Sequence, residues 1–163
     1  MDEILLIPDN LTELLVKVVQ FTESRRDVLH QNIDGIRTLG YVPQDLPVFE
    51  FVHVLNGAIA EHLQNHRLLL RDTENIRFGP NGTMGLCPVP DEHADTLLQS
   101  SHNEYLEYQV NRLLENALNR KVAEELLKLK CGAPSGLTHL HIAPTQVEDG
   151  PWKDSSSPCE NTE

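Results

Sequence analysis

From His93 to Lys130 the chain runs without a single glycine or proline. A structureless loop of that length has no place in a compact domain, so the stretch is predicted as one long helix. Its first turns carry an apolar stripe of Ala94, Leu97, Leu98, Ser101, Tyr105 and Tyr108. Further on, Leu106, Val110, Leu113, Leu114, Ala117, Leu118, Val122, Leu126, Leu127 and Leu129 do not continue one strict heptad. That phase break implies two faces, or two partners. Lys121, Lys128 and Lys130 complement the dipole at the carboxyl end, and Gly132 followed by Pro134 is the expected stop.

A second helix is predicted near the amino terminus, over about 10–33. Asn10 is the expected cap, with Glu13 three residues on as in a capping box. Leu11, Leu14, Leu15, Val18, Phe21, Val28, Leu29, Ile33 and Ile36 then recur at steps of three and four, although Arg25 and Asn32 interrupt the stripe. Residues 34–45 hold Gly35, Gly40 and Pro43 and read as an ordered turn.

Between the two helices, residues 46–92 read as a small middle region. Leu46 to Arg71 fits a shorter helix, because Val48, Phe49, Val52, Leu55, Ile59, Leu63, Leu68 and Leu69 do not alternate as a strand would. From Asp72 to Asp91 the density of Asn, Gly and Pro predicts a surface loop. Residues 131–163 combine Gly, Pro and Ser with no apolar period and are expected to form a disordered tail. The expected fold class is therefore all-α: a helical domain over 1–130 whose terminal helices pack as an antiparallel, coiled-coil-like pair, plus the tail.

Composition narrows the function. An apolar share of 39% with 5% aromatics leaves few large side chains to fill a centre, so the core is expected to be completed against partners. Thirteen basic against twenty-five acidic residues, a net charge of -12, opposes binding to phosphate backbones or anionic lipid. No nucleic-acid partner and no membrane insertion are expected, and Met1 to Ile7 lacks the form of a cleaved signal peptide. Cys87, Cys131 and Cys159 are scattered and odd in number, which favours free thiols over a disulfide framework or a zinc ribbon.

No active site declares itself. His62 and His66 are spaced for a metal, with His53 and Glu61 nearby, but Leu63 stands where a zinc protease helix needs Glu, and a solvated face is the plainer reading. His139 and His141 carry less weight still. Cys87 lies in a Pro/Gly loop without a nucleophile-elbow context, and the pairs Glu124/Glu125 and Glu148/Asp149 read as solvated charge. Asn81-Gly82-Thr83 and Asn10-Leu11-Thr12 match a glycosylation pattern but read as a turn and a helix cap. Tyr105 and Tyr108, three apart, read as an inter-helix contact. No enzyme, cofactor, metal or small-molecule substrate is expected.

The stretch Phe21 to Ile33, followed by Thr38-Leu39-Gly40-Tyr41 and Asp45, resembles the amino-terminal signature of the flagellar basal-body rod and hook proteins, above all their short proximal members. There a helix ends in Asn-Ile-Ala-Asn before a Thr-Pro-Gly-Tyr turn. Asn32, Ile33, Thr38, Gly40, Tyr41 and Asp45 agree with that pattern, whereas Asp34 and Gly35 replace Ala-Asn and Leu39 replaces Pro. Asn103 to Gln109 has a counterpart in the family's carboxyl-terminal helix. The likeness spans roughly residues 11–130.

The resemblance implies a structural subunit that assembles with itself and related rod proteins through its terminal helices. It also implies export without a cleaved signal and a place in the periplasmic rod. Leu14, Val18, Phe21, Val28, Tyr105, Tyr108 and Leu114 are the expected seam, and Asn32, Ile33, Thr38, Gly40, Tyr41 and Asp45 the expected turn. A cytoplasmic helical adaptor or export chaperone stays open on charge and helix length, although such a protein has no need of a Thr-x-Gly-Tyr connector.

Overall fold

A computed structural model describes residues 9–131 and 145–147. Helix α1 (Asn10–Asp34) is capped by Asp9, whose side chain accepts from the Thr12 amide at 2.8 Å. The cap thus falls one residue before the expected Asn10, since Asp9 is the residue in extended backbone and its carboxylate suits the positive end of the helix. At the far end the Gly35 amide closes the helix onto the Gln31 and Ile33 carbonyls, and a 3-10 turn over Gly35–Arg37 follows. Strand β1 (Gln44–Asp45) leads into α2 (Val48–Asn65), shorter than the predicted 46–71 because His66 turns into the left-handed region at φ 55°.

The predicted loop over 72–91 is instead a region of short strands. Strand β2 (Ile76–Phe78) pairs antiparallel with β3 (Met84–Leu86) across a turn in which Asn81 and Gly82 have positive φ, and β4 (Val89–Pro90) pairs with β1. Ile76, Met84 and Leu86 project into the core, where they meet Phe21, Val28, Leu46 and Phe51. The Phe21 and Phe51 rings stack at 4.0 Å, fixing α2 against α1. Density of turn formers marks the ends of such strands; it does not forbid three-residue pieces between them.

The predicted single helix over 93–130 is two: α3 (Glu92–Ser100) and α4 (His102–Cys131). Ser101 adopts extended backbone (φ -153°, ψ 107°) and serves as the amino-terminal cap of α4, its Oγ accepting from Glu104 N. The two then form a corner pinned by Asp91, which caps α3 through Ala94 N and accepts the Tyr108 hydroxyl at 3.0 Å. The expected stop at Gly132 and Pro134 lies outside the described residues.

Helix α4 lies antiparallel along α1. Gln109 meets Asn32, Asn116 meets the Thr22 carbonyl, Ala123 and Leu127 pack on Val19, and Lys130 pairs with Asp9. Strand β5 (Thr145–Val147) adds parallel to β3, so the segment expected to be a disordered tail contributes one strand; its other residues lie outside those described. The described chain is mainly helical, with the small strands clamped to one side of α1. No helix among the described residues is long and apolar enough to cross a membrane.

Candidate assembly surface

The turn after α1 is organised by one side chain. Asn32 is fully buried, and its amide meets a partner in each of its four hydrogen-bonding directions. The Nδ2 group donates to the Gln44 carbonyl (2.7 Å) and to Gln109 Oε1 (3.0 Å), while Oδ1 accepts from the Tyr41 hydroxyl (2.9 Å) and the Gln44 amide (3.0 Å). The Asn32 carbonyl also accepts the buried Tyr105 hydroxyl at 2.9 Å. Five segments are thereby tied together: the end of α1, Tyr41, β1 and two successive turns of α4. No other residue type supplies two donors and two acceptors at that length.

The rest of the turn supports this hub. Thr38 N donates to Gly35 O and Tyr41 N to Thr38 O, so Leu39 and Gly40 form a tip in which Gly40 takes φ 75°. A Cβ on Gly35 would lie 2.6 Å from the Tyr41 ring, so a glycine at this position makes room for that ring. Ile33 is partly buried, and Thr38 and Leu39 face solvent.

Arg25, which interrupts the apolar stripe of α1, and Asp45, the last of the expected turn residues, form the second anchor. Both are buried, and the pair is bidentate: Nε to Oδ1 at 2.8 Å and Nη2 to Oδ2 at 2.7 Å. The Leu46 amide donates to Asp45 Oδ1 as well. A planar guanidinium fits a carboxylate in this fork, which sets the distance between α1 and β1. On the next turns of α1, Lys17 and Gln20 both donate to the Gly82 carbonyl, holding the strand turn. Burial lowers the Lys17 pKa, with partial opposition from Glu13.

All three tyrosines of the chain are held above their ordinary pKa near 10, and in each the first cause is burial. Asp34 adds to the rise at Tyr41, Tyr41 and Asp91 add to it at Tyr105, and the Arg112 hydrogen bond opposes it at Tyr108. A raised folded pKa favours the neutral phenol, so this stabilisation is complete below pH 10 and is lost as the pH climbs beyond it. Tyrosinate absorbance of the native chain is therefore expected to lag that of the urea-unfolded chain, rising steeply only where the fold gives way. Superimposable titrations would contradict the buried placement of Tyr105 and the partly buried one of Tyr41.

Of the expected seam, Leu14, Phe21, Val28 and Tyr105 are buried, Val18 packs between two core clusters, and Tyr108 seats α3 on α4 with His93 and Arg112 around its ring. Leu114 is 64% exposed and lies outside the α1–α4 contact, which uses Tyr105, Gln109, Asn116, Ala123 and Leu127. Much of this seam is polar, and Gln109 Nε2 and Asn116 Oδ1 have no partner among the described residues.

Leu114 belongs to a different feature. Val110, Leu114, Leu118, Val122 and Leu126 are all exposed and spaced by four, with Leu129 beyond them. Each four-residue step turns about 40° round the helix, so the row starts on one flank of the α1–α4 pair, crosses the back of α4 and ends on the other. The first flank is an open groove where Val110, Leu113 and Leu114 face Thr22, Arg26 and His30 of α1. The second is an apolar groove of about 520 Å³ where Leu126 and Leu129 meet Leu11, Leu15, Leu55 and Ile59. The phase break in the sequence is this crossing from flank to flank.

The remaining candidates occupy plainer positions. His62 Nδ1 is 3.1 Å from Asn10 Nδ2, and the His62 and His66 rings meet edge to face at 6.2 Å. No group of three or more His, Cys, Asp or Glu able to hold a metal occurs among the described residues. Glu124 accepts from Arg120, and Glu125 from Lys128, on the surface of α4. Cys87 is fully buried and disulfide-bonded, which corrects the expectation of a free thiol there. The Cys131 side chain, His139, His141, Glu148, Asp149 and Cys159 lie outside those described.

No protein-family model matches the chain, and no curated protein or solved structure matches it either.

Proposed function

We propose that this chain is a structural subunit of the bacterial flagellar basal-body rod, self-assembling with related rod proteins through its terminal helices. The observation that carries the reading is the apolar row from Val110 to Leu129, left exposed on a long helix of a strongly acidic chain. A helix polar on its outer face would serve a monomer; apolar residues spread over both flanks and the back suit a subunit met by neighbours from several directions. The resemblance around Asn32 to Asp45 supplies the kind of assembly, and the Asn32 hub gives that motif a physical task in setting the turn between α1 and β1.

In this reading the α1–α4 pair acts as a coiled-coil-like unit whose outer seams are completed by other subunits in the periplasm, after export without a cleaved signal. Its work is mechanical, with torque carried through many weak seams and no catalytic site. Deleting the gene in its flagellated host is the direct test. Loss of motility together with basal bodies that lack rods is the expected result; intact rods in the deletion strain would overturn the reading and favour the cytoplasmic adaptor or export chaperone.

A further inference from the structure

Helix α2 has two apolar faces, and the fold uses one of them. Phe51, Val54 and Ala58 are buried against the core. On the opposite side Phe49, Val52, Ile59 and Leu63 are exposed, Phe49 by 93% and Leu63 by 71%. With Asn56, also exposed, these residues follow one another at steps of three, four, three and four. That is the a/d spacing of a heptad, and it holds all five within an arc of about 80° on the helix.

We propose that this outward face of α2 pairs with the same face of a second copy of the chain. Three observations select a copy of itself as occupant. First, the ends of the stripe are equidistant from Asn56, with Phe49 seven residues before it and Leu63 seven after, while Val52, four before, and Ile59, three after, fall within one residue of each other's mirror position. A two-fold axis at Asn56 therefore sets each Asn56 amide against its own copy, where donor and acceptor satisfy one another; a lone Asn at an a position is a known means of fixing register at some cost in stability.

Second, the flanking positions Val48, His53, Leu55, Ala60 and His62 carry no Asp, Glu, Lys or Arg that would select a partner of opposite charge. Glu50 and Glu61 lie off this face and are already engaged, Glu50 by Thr73 and Asn75 and Glu61 by Asn65 and Arg67. Two copies that each carry a net charge of -12 repel overall, and this uncharged band is a place where they can approach. Third, the exposed parts of Phe49, Val52, Ile59 and Leu63 offer roughly 500 Å² per copy, so a symmetric pair reaches roughly the 1,000 Å² that a specific interface requires. This pairing is centred on a different helix from the assembly row on α4, with Ile59 at the edge shared with its second groove, and does not rest on the rod reading.

Sedimentation of the full chain over a range of concentrations tests it. A reversible dimer is expected for the wild type, and Phe49→Glu with Leu63→Glu is expected to weaken it at least tenfold. Asn56→Cys, at an exposed position, is expected to form an inter-copy disulfide on mild oxidation, read by mass. A wild type that stays monomeric at high concentration, or a dimer indifferent to the α2 substitutions, would overturn the proposal. So would a monomer that dimerises only once residues 1–8 are removed, since the apolar Ile4 to Ile7 would then be the occupant of this face.

Discussion

Replacing Asp45 with alanine is expected to lower the stability of the chain by about 3–5 kcal/mol, the cost of leaving Arg25 buried without its counter-charge. The guanidinium sits between α1 and β1 with 2% exposure, and the described hydrogen bonds of its Nε and Nη2 both run to this carboxylate. The Leu46 amide loses its acceptor in the same step. The pair as a whole need not be stabilising, because taking two charges out of water consumes most of what their attraction returns. Arg25→Met combined with Asp45→Leu is therefore expected to recover most of the loss. Urea denaturation of the two single variants and the double variant checks this: a double variant as unstable as Asp45→Ala would mean that the fork geometry itself, and not the orphaned charge, carries the effect.

Asn32→Asp is the second large effect, about 3 kcal/mol or more at neutral pH, because it keeps the shape of the side chain and removes both of its donors. The new carboxylate would face the Gln44 carbonyl and Gln109 Oε1, two acceptors, at a site with no solvent exposure. Burial and acceptor contacts both favour its protonated form, so its pKa in the fold would rise above the unfolded value near 3.9. Stability relative to wild type is then best below that unfolded value and falls as the pH rises through the folded one. Denaturation of the variant and the wild type at acid and neutral pH reads the difference. A penalty that does not change with pH would show that the residue is not held in the buried network described here.

The extent of α1 was legible to within a residue at each end from its three-and-four spacing, but of its buried face that spacing marked only Leu14, Phe21, Val28 and Leu29. Phe21, Val28 and Leu14 lie where the stripe places them. The two interruptions of that stripe were the stronger signal and were read as weaknesses: Arg25 and Asn32 are buried because each has a partner from a distant segment, Asp45 and Gln109, that no local pattern reveals. The break at Ser101 was visible in principle, as Ser101 and Glu104 have the spacing of a capping box, but the absence of Gly and Pro outweighed it. Strands of three residues at Ile76 and Met84 are too short to show alternation, and β5 is held by β3 from outside its own sequence neighbourhood. Nor did the sequence separate Leu14, Phe21, Val28 and Tyr105, which the chain buries itself, from Leu114, which it leaves exposed. A helix with apolar residues on several sides does not say which side the chain keeps for itself.

The central claim is that the exposed row on α4 is where neighbouring subunits meet. The most direct test is complementation of a deletion strain with the Leu114→Glu, Leu118→Glu chain, followed by electron microscopy of isolated basal bodies. Both residues are 64% exposed, so the variant chain is expected to fold and remain stable while failing to restore rods and motility. Rods of normal number and length built from that variant would contradict the account.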